Sequence, residues 1–334
     1  MSNNEKKMTN FQGYKKTLPF AFVGFLVDLL VLLIIAGLAT AGFFLMKDKG
    51  EGMGILGLVI GAFIGALLSI LISIFVSNRI KAAQIAMMTK GVVDNELPEH
   101  TYKAGFQELK GRFGKITLFF LITNAIKSVF REIGRGINKL GTAVGGDVGG
   151  AVTSGIDSAI QIVIAYLCDC CLGWVLYRKD VNGFKAGCEG AVIFFKHGKT
   201  LVRNVGRIFG MGFLSLLLIG GAFFGITYGL SISVFQGQWA ALANEIHEIA
   251  VKQAWEANWF LNAIQQPQTL IIVASAIIGI IFWGILHSLL IRPFILVGVL
   301  RNYMAAGLKD LPKESDIKEL ENKFPKMKKL SSRA

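Results

Sequence analysis

The stretch LPFAFVGFLVDLLVLLIIAGLATAGFFLM, residues 18–46, decides the fold, because only one of its side chains, Asp28, is charged. A helix crosses a hydrocarbon core of roughly 30 Å in about 20 apolar residues, and this run exceeds that. Similar runs lie outward from it at 53–78, 158–177, 205–235 and 269–291. A shorter one, ITLFFLITNAIKSVF at 116–130, carries Lys127. The whole chain agrees, with 334 residues, 53% hydrophobic content and a mean hydropathy of +0.55. Soluble domains of this length are not so apolar. The expected fold class is an all-α integral membrane protein with about six transmembrane helices.

Six spans make three hairpins with both termini on one side. Most of the 35 Lys and Arg gather on that side, so it is expected to be cytoplasmic. The location expected is a bacterial inner membrane. The formal net charge of +13 belongs to these loops, since no polar segment is large enough to fold as a nucleic-acid module. The parts are a cytoplasmic N-terminus at 1–17, hairpin 1 with its amphipathic segment at 18–115, and hairpin 2 at 116–199. Hairpin 3 follows at 200–300, with an outer insertion at 236–268, and a basic cytoplasmic tail fills 301–334. The polar opening MSNNEKKMTNFQGYKK does not resemble a signal peptide, so the first span is expected to stay as an anchor. One loop resists this plan. Lys127, Arg131, Arg135 and Lys139 recur every four residues among Ile126, Phe130, Ile133, Ile137 and Leu140. That is a basic amphipathic helix placed outside, unless the short span is re-entrant.

The hairpins look like degenerate repeats of one unit. FQELKGRFGKI at 106–116 aligns without gaps to IKELENKFPKM at 317–327, and each follows a Leu-Pro pair, at 97–98 and 311–312. Each pair in turn follows an arginine that ends a span, Arg79 or Arg292. In the outer insertion, Trp239, Leu242, Ile246 and Ile249 share helical spacing, and Trp255 and Trp259 form another pair. Tryptophan favours the headgroup region, so this helix is expected to lie on the outer leaflet. On the opposite side, Lys323, Lys326, Lys328 and Lys329 are expected to contact anionic lipid at the cytoplasmic face.

Three cysteines and an aspartate, Cys168, Asp169, Cys170 and Cys171, sit in CDCC inside an apolar run. Helical rotation puts Cys168 and Cys171 on one face and turns Cys170 away, so with Cys188 elsewhere no zinc set is complete. The cysteines read as packing residues or palmitoylation sites. No metal or other cofactor is expected. His247 lacks the second histidine of HExxH chemistry, and no phosphate loop or catalytic triad spacing appears, so the chain is not expected to be an enzyme.

Asp28 and Asp169 lie roughly 18 Å and 13 Å from the cytoplasmic face at 1.5 Å per residue. An ionised aspartate there costs about 3 kcal/mol, which makes both the candidate intramembrane polar site. The alternative is a protonated side chain tying two helices together. Gly57, Gly61 and Gly65 recur every four residues, as do Gly221, Gly225 and Gly229, and Gly141, Gly145 and Gly149. Such rows let helix backbones approach closely, either within a bundle or across an oligomer contact. The order CDCC (168–171), WVLYRK (174–179) and GAVIFFKHGKTLVRN (190–204) resembles a stretch of the choline transporter-like proteins. No function or binding residue is carried across from it. Two functions are open: a small-solute or ion transporter using the aspartates, or a non-catalytic subunit that organises membrane or partner proteins. A homo-oligomer or membrane complex fits either.

Overall fold

The computed structural model describes residues 8–50, 53–113, 116–145, 150–202, 205–252, 262–263 and 265–334; side chains at 116–117, 134–145, 150–160, 198–202, 205–206 and 249 are not described. All the described structure is helix, turn or bend, with no strand among the described residues. The chain forms two compact units, Met1–Ile208 with Pro293–Ala334, and Phe209–Arg292.

The first unit opens with α1 (Asn10–Met46). Its start is fixed by Thr9, whose Oγ1 accepts from Gln12 N at 3.2 Å while Gln12 Oε1 accepts from Thr9 N at 2.9 Å. This reciprocal pair satisfies two otherwise orphaned backbone donors. A short 3-10 turn, Lys47–Lys49, and Gly50 at φ 145° reverse the chain into α2 (Met53–Ile72). Only glycine adopts that backbone angle without strain.

The α1–α2 pair shows why α2 carries its glycines. A Cβ on Gly57 would lie 2.1 Å from Gly42 O, and one on Gly61 would lie 2.1 Å from Leu38 O. At Gly65 it would meet Ile35 Cα at 2.8 Å. Backbone touches backbone along this face, as small residues allow. The opposite faces present Phe22, Leu30, Leu33, Ile55, Phe63 and Leu67 to the outside. In water each such side chain would forgo about 1.5–3 kcal/mol relative to burial, so this surface belongs against lipid.

A π-helical turn, Ser73–Ser77, joins α2 to α3 (Asn78–Val93), and there the environment inverts. Ile74, Phe75 and Val76 are exposed, whereas Ile80, Ala83, Ile85, Met87 and Met88 are buried. Together Met53–Val93 runs 41 residues, about 60 Å at 1.5 Å per residue, twice what a bilayer core needs. The second half enters a helical core. That core is built from α3, α6 (Gly150–Tyr177), α7 (Gly183–Val202) and α12 (Arg292–Lys309). Trp174, Tyr303, Ile85, Met87 and Ile193 are all under 2% exposed within it. Leu300 lies over Gly173, and Trp174 packs on Gly307.

Around this core wrap α4 (Thr101–Phe113), α5 (Ile116–Gly145), α13 (Glu314–Lys323) and α14 (Pro325–Ser331). The apolar stripe of α5, with Phe119, Ile122, Ile126, Val129, Phe130 and Ile133, is buried, and Lys127 and Arg131 face out.

The second unit begins within α8 (Val205–Ser215), which with a π turn (Leu216–Gly220) and α9 (Gly221–Ser233) forms one long helix. It returns through α10 (Gln236–Lys252) to α11 (Pro267–Leu286), which ends in the π turn His287–Ile291. Here Gly279 closes on Gly220, whose O would sit 2.8 Å from an added Cβ. Phe223 and Phe282 stack at 4.5 Å beside it.

Among the described residues four helices are long and apolar enough to cross a membrane: Asn10–Lys49, Met53–Val93, Arg207–Ser233 and Pro267–Lys309. The six expected from the sequence are therefore not all present as straight crossings. Within α6 the stretch from Leu167 to Leu176 is buried on every side. The short run at 116–130 belongs to amphipathic α5, and α4 with Leu118–Ile133 passes only as a pair bent by 84°. A helix apolar all round is either a span or a core helix, and composition does not separate the two.

Candidate functional site

Asp169 lies on α6, where its neighbours Cys168, Cys170, Cys171 and Leu172 are buried against surrounding helices. Its carboxylate meets Lys81 of α3, with Oδ2 2.8 Å from Nζ, and the two side chains are 10% and 35% exposed. Lys81 stands one turn after Asn78, on the same face of α3. A cavity of about 330 Å³ opens over this pair. Its polar wall includes Asn78, Lys81, Asp169, Thr123, Asn124 and Lys127, and its apolar wall includes Ile74, Phe119 and Phe120. The wall thus carries two ammonium groups and one carboxylate.

The structure does not bring Asp28 to this site. Asp28 is exposed on α1 and is not part of the cavity wall. The partner that Asp169 does find, Lys81, sits in the polar NRIK stretch just past the expected end of the second span. Its only sequence signal is the three-residue spacing from Asn78.

Other buried charges tie helices to one another. Arg178 places Nη1 3.0 Å from Glu189, which also accepts from Trp174 Nε1 at 3.1 Å. Burial raises the Glu189 pKa, opposed by the Trp174 hydrogen bond and the Arg178 charge. Arg112 donates through Nε to Val175 O and through Nη1 to Val181 O, both at 2.8 Å. It thereby caps the carbonyl end of α6, where a cation is favoured.

The four cysteines are free and buried. Cys171 Sγ donates to Gly187 O at 3.6 Å, and burial pushes the Cys188 thiol up to about 12. Among the described residues no three His, Cys, Asp or Glu side chains gather as a metal site.

The glycine rows have different fates. Gly57, Gly61 and Gly65 pack within the α1–α2 pair, as described. Gly221, Gly225 and Gly229 meet nothing within 4 Å and are exposed on α9; the contact in that unit is made by Gly220 and Gly279 instead. Gly141 and Gly145 fall on the last turns of α5, and Gly149 lies outside the described residues, as do Trp255 and Trp259. Trp239 is half-buried on α10.

The basic tail is docked on the protein. Ile317, Leu320, Met327 and Leu330 are buried, and Lys326 N donates to Glu132 of α5 at 2.8 Å. Lys196 of α7 holds Asp316 at 2.8 Å. The apolar side of the tail thus faces protein, leaving Lys323, Lys326, Lys328 and Lys329 exposed. Lys323 pairs with Glu319 at 2.7 Å and lies over the Phe195 ring.

No family model, curated protein or solved structure matches the chain, so the resemblance of residues 168–204 to choline transporter-like proteins has no counterpart in these comparisons.

Proposed function

We propose that the protein is a non-catalytic membrane subunit, with a cytoplasmic helical platform and two membrane hairpins, which organises the bilayer or holds partner proteins. The observation that carries this reading is the dry pairing of the spans. In the α1–α2 pair, backbone meets backbone at Gly42, Gly57 and Gly61, leaving no room for a polar lane. Asp28, the one ionisable side chain deep in that pair, is exposed on its outside. In the second unit Gly279 closes on Gly220 in the same way.

Four spans also relieve the conflict over the basic amphipathic helix. The stretch from α3 to α7 then stays on the cytoplasmic side, and Lys127, Arg131, Arg135 and Lys139 come inside with the other cations. Parallel construction supports a duplicated unit. In each case a π turn ends the exposed apolar half, a buried helix follows (α3 or α12), then Leu-Pro, then a short amphipathic helix (α4 or α13).

Light scattering of the detergent-solubilised protein tests the reading. The protein mass should exceed one 36.3 kDa chain, and Gly225→Leu on the exposed row should lower it without loss of helix content. Proteoliposomes should carry no more ion or small-solute flux than empty vesicles. A second reading, transport, draws on the buried Asp169 carboxylate beside open space. A monomeric protein with flux that Asp169→Asn abolishes would establish that reading and contradict the first.

A further inference from the structure

We infer that the cavity between α3, α5 and α6 is a binding site for the phosphate headgroup of a membrane phospholipid. The inference goes beyond the platform reading, and either can fail without the other.

Charge selects the class of ligand. The exposed Lys127 and the half-buried Lys81 line the cavity with one carboxylate, Asp169, which is engaged by Lys81 at 2.8 Å. The wall therefore holds a surplus positive charge, which excludes a simple cation and favours an anion. Two unit charges 4 Å apart interact by about 4 kcal/mol at the effective dielectric of a protein surface, so the surplus decides the sign of the ligand. Asn78 and Asn124 add side-chain amide donors that a phosphate oxygen accepts from.

Position selects the source of the phosphate. The apolar rim of the cavity begins at Ile74, in the π turn where the exposed half of the second span ends. Phe120 on the rim packs edge-on against Phe75 at 6.0 Å, and Phe75 is 52% exposed. A headgroup seated on the lysines thus has its acyl chains leaving over Ile74, Phe75 and Phe120, along the lipid-facing side of α2. The volume of about 330 Å³ equals roughly ten waters, enough for a phosphate with its glycerol and too little for the chains. A soluble phosphate compound would use the lysines and leave the apolar rim without a role.

Native mass spectrometry of the full chain in detergent, titrated with phosphatidylglycerol, tests the site. The wild type should retain one tightly held lipid. Lys127→Glu should weaken that binding about tenfold, a 1.4 kcal/mol change. Lys127→Gln should weaken it less. Lys103→Glu, an exposed cation of α4 outside the cavity wall, should leave it unchanged. Millimolar inorganic phosphate or glycerol 3-phosphate should not displace the lipid. Equal lipid retention by wild type and Lys127→Glu would overturn the inference. Displacement by inorganic phosphate would overturn the assignment to lipid, and equal weakening by Lys103→Glu would show a diffuse surface charge in place of a site.

Discussion

Gly61 and Gly225 occupy identical i, i+4 patterns, yet one touches a carbonyl oxygen and the other touches nothing. The spacing is legible in sequence; the partner is not, because a row of small residues identifies only the side of a helix that can be approached. Their substitution should separate them. Gly61→Leu must push α1 off α2, and overpacking of this kind costs about 1–3 kcal/mol. It should lower the melting temperature and the monodisperse yield, whereas Gly225→Leu, which meets nothing within its own chain, should leave helix content unchanged. Asp169 is similarly half legible. A carboxylate in an apolar run stands out, but its counter-ion Lys81 comes from a different helix, 88 positions earlier, where lysines are common. Removing one partner of a buried pair leaves the other charge unpaired, at about 3–5 kcal/mol when burial is complete. With Lys81 at 35% exposure, Lys81→Gln should cost less, on the order of 1–3 kcal/mol. Lys81→Met with Asp169→Leu should recover most of the loss in a chemical or thermal melt.

At the scale of elements, the long apolar helices α1, α2, α9 and α11 are legible because nothing but lipid suits so many outward-facing Leu, Ile and Phe side chains. α6 is not, because a central core helix and a membrane span share one composition. The difference lies in what surrounds it, namely α3, α5 and α7. The tail's basic character is legible in sequence, whereas the packing of its apolar side on α5 and α7 depends on helices distant in the chain. Its docking should depend on pH. The Lys196 ammonium holds the Asp316 pKa below its ordinary value, with the Lys313 backbone N–H helping. A carboxylate with a depressed folded-state pKa contributes stability that is fully present above the unfolded value and lost as pH falls through the folded one. The tail should therefore become more protease-sensitive and exchange faster below about pH 4. Asp316→Asn should show that sensitivity already at neutral pH, and a pH-independent cleavage rate in the wild type would contradict the ion-pair account.

For the whole molecule, the account turns on how many helices cross the membrane. Six crossings place the segment joining α5 to α6 outside; four keep it with the cytoplasmic platform. The four native cysteines are buried, so a surface cysteine can be labelled against a silent background. Both arrangements put Gln266, exposed at the start of α11, and Ser331, at the end of α14, on opposite sides. The decisive measurement is labelling of Lys139→Cys in α5 with a membrane-impermeant maleimide in intact cells. Four spans predict that Lys139→Cys behaves like Ser331→Cys and reacts only after permeabilisation, while Gln266→Cys reacts at once. Lys139→Cys labelling from outside as readily as Gln266→Cys would contradict the four-span platform and restore the six-span arrangement.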